Sequence, residues 1–181
     1  SILTWNVGYA GLGEESDFFM DGGKQVRAPS KAIVEKNMDG IVSIVKELDA
    51  DFTFLQEIEA DPSTRSYGIE EAERMRTEPY PIPPIGKVSS GIMTLSTAPI
   101  ASAERIALPS PFKWPVSVAN LKRCLMPVYI DLEGTDAQLV LVNLHLEAYD
   151  DGEGKAAQTA ALKSFLEQEY AKGNYVIAGG D

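Results

Sequence analysis

Four apolar runs in this sequence each end on a polar side chain, and that pattern is the tightest constraint on its fold. Ile2-Leu3-Thr4-Trp5 leads into Asn6, and Phe52-Thr53-Phe54-Leu55-Gln56 leads into Glu57. Leu139-Val140-Leu141-Val142 leads into Asn143 and His145, and Tyr175-Val176-Ile177-Ala178-Gly179-Gly180 into Asp181. Short apolar runs bounded by turn residues are buried strands. A polar group buried at the end of such a strand costs free energy unless it is paired. Asn143 and His145 are two apart and share a face. Ligands of open α/β sheets bind outside the carboxyl ends of the strands. The four endings therefore point to one shared site.

Helical spacing separates the strands. After Ser30, a natural N-cap, apolar residues recur as Ile33, Val34, Met38, Ile41, Val42, Val45 and Leu48, and Asp49 to Asp51 end the helix. A second helix is expected over 155–172, with Ala161, Leu162, Phe165, Leu166 and Tyr170 on one side and Gly173-Asn174 as its stop. Further strands are expected over 91–96, 124–132 and 138–146, the last two joined as a hairpin through Glu133-Gly134-Thr135-Asp136. The Pro-rich stretch with Pro79, Pro81, Pro83 and Pro84 reads as loop, with a short helix near 69–76. The reading is an α/β (α+β) chain with a mixed sheet, one domain over 1–181, with no internal repeat.

The residue types at the strand ends suit one chemistry. Glu57 and Asp181 are hard anionic oxygen donors and Asn6 is a neutral one, a set for Mg²⁺ or Mn²⁺ more than for zinc. Cys124 is the single cysteine and His145 the single histidine, so zinc clusters built on several of either are excluded, as is an internal disulfide. His145 is the one side chain whose ordinary titration lies near neutrality, which fits a general acid or base or a stabiliser of a crowded phosphorane. The formal charge of −11 disfavours a non-specific nucleic-acid coat. It leaves room for a metal-assisted phosphoester site, because a bound cation inverts the local field. No apolar run reaches the roughly 18 residues of a membrane helix. The chain opens on Ser1, which reads as trimmed upstream, so the compartment stays open.

These residues carry a resemblance. Thr4-Trp5-Asn6-Val7, Leu55-Gln56-Glu57-Ile58, Val142-Asn143-Leu144-His145-Leu146 and Gly179-Gly180-Asp181 resemble, in order, motifs of the endonuclease/exonuclease/phosphatase superfamily, the DNase I-like fold. Ser90 to Ser96 resembles that family's "SG-x-x-x-LS" strand more weakly. The resemblance implies a four-layer αββα sandwich with a metal-dependent phosphoesterase site. It implies Asn6 and Glu57 at the metal, His145 and Asn143 in the catalytic motif, and Asp181 as the Asp of "GD-x-N", which orients the attacking water. It also implies contact of Arg65 and Tyr67 with substrate phosphate. The substrate class, whether nucleic acid, lipid or small-molecule phosphate, stays open. The Asn of "GD-x-N" and the family's "SDH" segment lie beyond Asp181. The expectation is an N-terminal portion of a family domain, inactive alone. Its exposed sheet edge would invite self-association.

Each residue also has a plainer reading. Asn6 would form a turn before Gly8, Glu57 would be solvated, and His145 would be a satisfied core residue. Asp181 would be a solvated terminus, and Asn143 a hydrogen-bonding support. Arg65 and Tyr67 would be a surface cation and a half-buried ring. Lys122 and Arg123 read as surface charge, Asp150 to Gly154 as a solvated turn, and Phe18-Phe19-Met20 as a hydrophobic plug. On the plainer readings the chain would be a non-catalytic binding module on the same scaffold.

Overall fold

The structure, a computed structural model, describes residues 1–17, 22–25, 30–59, 90–110, 122–148 and 152–181. They fall into two compact units, Ser1–Met93 and Thr94–Asp181. Phe18-Phe19-Met20, Arg65, Tyr67, the expected helix near 69–76 and the Pro-rich stretch lie outside the described residues.

In the first unit, strand β1 (Ile2–Asn6) pairs in parallel with β2 (Phe52–Glu59), and the helix between them, α1, spans Lys31–Leu48. Ser30 caps α1, its Oγ accepting the Ile33 N–H at 3.3 Å. The helix stops at Asp49, which takes a left-handed conformation at φ 43°. Part of the α1 stripe read from the sequence packs: Val34 and Ile41 join Val7, Ala10, Leu55 and Ile58 in one core, with Trp5, Met38, Val45 and Met93 against it, whereas Val42 and Leu48 of the same stripe are exposed. Burying each such aliphatic side chain contributes about 1.5–3 kcal/mol. Strand β3 (Ser90–Ser96) is the third member of this sheet.

The second unit repeats the same device. Short strands β4 (Ser102–Ala103) and β5 (Ile106–Ala107) pair with β6 (Cys124–Asp131), and β6 forms the expected hairpin with β7 (Gln138–Leu144). Gly134 turns that hairpin at φ 78°. Helix α2 (Glu153–Ala171) then carries the chain back to β8 (Tyr175–Gly180), which lies parallel to β7. Val140, Leu141 and Val142 have no exposed surface, so β7 is buried on both faces. Ala161, Leu162, Phe165 and Leu166 of α2 pack on Leu125, Tyr129, Val140, Val142 and Leu144. Sequence reading missed β4 and β5, since two-residue strands carry no period.

Each unit is thus built around a parallel strand–helix–strand crossover. Parallel strands end on the same side. The polar endings of β1 and β2 therefore share one sheet edge, and those of β7 and β8 share another. Among the described residues, no helix is long and apolar enough to cross a membrane.

Candidate active site

In the first unit the β1–β2 register pairs Asn6 with Gln56, so Glu57 follows directly beside Asn6 along the ladder. The Val7 N–H donates to the Gln56 carbonyl at 3.0 Å, extending the pairing past the strand end. The Asn6 Oδ1 accepts the Gly8 N–H at 3.0 Å. Asn6 therefore does form a turn before Gly8. Gly8, Tyr9 and Ala10 all take left-handed backbone, at φ 52°, 55° and 52°. The Asn37 side chain of α1 holds this turn by donating to the Ala10 carbonyl at 3.0 Å. Glu57 is also left-handed, at φ 55°, inside an otherwise extended strand. Non-glycine residues pay about 1–2 kcal/mol for this conformation. Such strain persists where the surroundings over-determine it, often at functional sites.

In the second unit the backbone itself brackets Asp181 around His145. The Asp181 N–H donates to the Leu144 carbonyl at 3.2 Å, and the Leu146 N–H donates to the Asp181 carbonyl at 2.8 Å. The His145 Nε2 lies 3.6 Å from Asp181 Oδ2, the imidazole being buried and the carboxylate half-exposed. Gly180 permits this approach. A Cβ there would collide with the Leu144 carbonyl oxygen, and its φ of 151° suits glycine. Asn143 is fully buried in β7, opposite Met126 and Gly179.

His145 is not poised near neutrality, as its residue type alone would have it. Its pKa is pushed down from 6.5 to about 4, first by burial and then by the Arg123 cation, against the pull of Asp181 and Glu147. Arg123 is not surface charge either. Its side chain is 9% exposed, with Nε 3.7 Å from the buried Glu147 carboxylate. The apolar face of β6 runs directly on from Arg123, and Glu147 follows the His145 motif by two. Those are the only sequence signals of the pair. Among the described residues, no group of three or more His, Cys, Asp or Glu forms a ready metal cage. Arg65 and Tyr67 lie outside the described residues.

The sequence model of the Endonuclease/Exonuclease/phosphatase family matches residues 3–181. The chain belongs to that family. Solved structures agree in fold. Truncated Caenorhabditis elegans TDP2 superposes with a TM-score of 0.60 at 17% identity, over 99% of this chain and 60% of that one. ANGEL2, a 2',3'-cyclic phosphatase, gives 0.63 at 18% identity, over 99% and 51%. D. rerio TDP2 complexed with single-strand DNA product gives 0.54 at 19% identity, over 99% and 59%. No curated protein matches the chain. The chain spans half to three fifths of the length of these structural relatives. As in the Endonuclease/Exonuclease/phosphatase family, its fold is the mixed α/β, DNase I-like one.

Proposed function

We propose that this chain is part of a Mg²⁺-dependent phosphoester hydrolase, and that both of its units belong to one catalytic domain. The observation that carries the reading is the bracket of Asp181 around the buried His145 in a chain that belongs to the Endonuclease/Exonuclease/phosphatase family.

Glu57 and Asn6 would hold the metal. One carboxylate and one amide oxygen on adjacent strand ends suit Mg²⁺, which keeps several waters and binds through few protein ligands, and Mn²⁺ is an alternative. When bound, the ion neutralises charge on the phosphoryl oxygens. The chain's own residues do the rest. Half-exposed Asp181 accepts a hydrogen bond from the attacking water and orients it. His145, neutral across the physiological range, donates a hydrogen bond to a phosphoryl oxygen as charge builds there. Asn143, buried in β7, supports the strand end that carries His145. Arg65 and Tyr67 would contact substrate phosphate.

The substrate is a phosphoester of a nucleic acid, a lipid or a small molecule. The chain spans half to three fifths of the length of its structural relatives, and the 181 residues alone are expected to be inactive. The test is turnover of phosphomonoester and phosphodiester probes by the whole protein, with Mg²⁺ and with EDTA. Hydrolysis that needs the metal and falls about 10³-fold in Glu57→Ala is expected. Undiminished activity in Glu57→Ala defeats the enzyme assignment of this site. Absence of any metal-dependent turnover favours a non-catalytic binding module.

A further inference from the structure

Helix α2 turns toward the sheet a stripe that is apolar only in its middle. Ala161, Leu162, Phe165 and Leu166 pack there, while Gln158 before them and Glu169 after them are polar yet only 1% and 2% exposed. A buried polar group costs free energy unless it is hydrogen-bonded. Glu169 is satisfied just past the end of its own helix, where it accepts from the Lys172 ammonium and from Asn174 Nδ2. Gln158 reaches out to two other segments instead. Its Oε1 accepts the Glu147 N–H at 2.8 Å, and its Nε2 donates to the Pro109 carbonyl at 2.9 Å.

Both partners are backbone groups beyond strand ends. Glu147 follows the end of β7 at Leu144, and Pro109 follows the end of β5 at Ala107. One needs an acceptor and the other a donor, so an amide fits where a carboxylate, an ammonium or an apolar side chain does not. Gln158 therefore ties to α2 the segment that follows β7, and that segment carries His145. Other ties hold the segment as well. The Leu146 N–H donates to the Asp181 carbonyl at 2.8 Å, and the Ala148 N–H to Glu147 Oε1 at 3.2 Å. Glu147 Oε2 lies 3.7 Å from Nε of the buried Arg123. Leu146 is thus held to the strand end that bears Asp181, and Glu147 to α2. Beside these two anchors His145 Nε2 makes its 3.6 Å approach to Asp181.

We propose that Gln158 is a positioning residue for the phosphoesterase reaction, clamping the 145–148 segment so that the His145 imidazole stays beside the Asp181 carboxylate. It acts through the backbone of Glu147, two residues from His145, and not on substrate. Holding a reacting group this firmly matters for rate, because a displacement of about 1 Å costs on the order of 100-fold. For packing alone, an apolar residue on the α2 stripe would serve as well, since it leaves no amide to satisfy.

The inference rests on His145 and Asp181 serving that reaction, but one readout of its test does not depend on turnover. Amide hydrogen exchange of the whole protein is followed by NMR, alongside kcat and KM for a phosphodiester probe with Mg²⁺. In Gln158→Met, exchange at Leu146 and Glu147 is expected to rise about tenfold or more while the β7 amides stay protected. With it, kcat falls about 10- to 100-fold and KM stays within about twofold. A merely structural glutamine would lower Tm and leave kcat unchanged below the melt. Unaltered kcat, or unaltered exchange at Glu147, in folded Gln158→Met overturns the proposal. Should that variant fail to fold, Gln158→Asn decides, because its amide is one methylene too short to span both partners. The same two changes in Gln158→Asn support the proposal, and a wild-type kcat overturns it. Absence of turnover in the wild type sinks the phosphoesterase reading. Faster exchange confined to 145–148 in Gln158→Met then still shows the clamp, and unaltered exchange removes it too.

Discussion

Glu57 holds a left-handed backbone in the middle of a strand, and a glycine there would relax it. Glu57→Gly is therefore expected to keep or raise Tm in a thermal melt while turnover collapses. A large fall in Tm would show that the carboxylate serves folding instead. His145 gives the second residue-scale prediction. Its folded pKa lies near 4, below the unfolded 6.5, so its contribution to stability is fully present above pH 6.5 and is lost as pH falls toward 4. In that window the unfolded chain takes up a proton that the folded chain does not. Urea melts of wild type against His145→Gln should show an acid-dependent difference of about 2 kcal/mol between pH 6.5 and 4. Parallel pH curves would contradict a buried neutral imidazole. The positions of Asn6, Glu57, Asn143, His145 and Asp181 at strand ends were legible in the sequence, because a polar group closing an apolar run is costly unless it is paired or put to use. The buried pairing of Arg123 with Glu147 was not. A lone cation before a strand looks like surface charge until the partner, 24 residues along the chain, is folded beside it.

At the scale of elements, the two crossovers are what bring each pair of strand endings to one edge. Both helices were legible from their 3.6-residue stripes, and α1 from its Ser30 cap as well, but Tyr170, expected on the packed side of α2, is exposed. Glu153–Ala171 replaces the expected 155–172, with Gly152 as the residue before the first turn. Strand β7 ends at Leu144 and not at 146, although the Leu146 N–H still donates to the Asp181 carbonyl just beyond β8. Gly180 governs that junction. Gly180→Ala is expected to destabilise the protein by about 1–3 kcal/mol and to part Asp181 from His145. Chemical denaturation and an NMR titration of His145 would check both effects; an unaltered Tm and midpoint would count against the close approach. Strand β8 is an edge among the described strands and exposes Tyr175 and Ile177. Such an edge is a template for pairing. The isolated 181-residue chain should self-associate in light scattering, and Tyr175→Lys should reduce it. A stable monomer at high concentration would contradict this.

For the molecule as a whole, the question is whether two units, each ending its crossover on polar groups, serve one reaction. Family membership runs through both, from residue 3 to 181. On the proposed function, the formal charge of −11 leaves the attraction of an anionic substrate to the cation that Glu57 and Asn6 would hold. The measurement that decides is Mg²⁺-dependent turnover of a phosphodiester probe by the whole protein, in wild type, Glu57→Ala and Asp181→Ala. Loss of the metal-dependent turnover in both variants is expected. Undiminished turnover in either would mean that the two sets of strand ends do not serve one reaction.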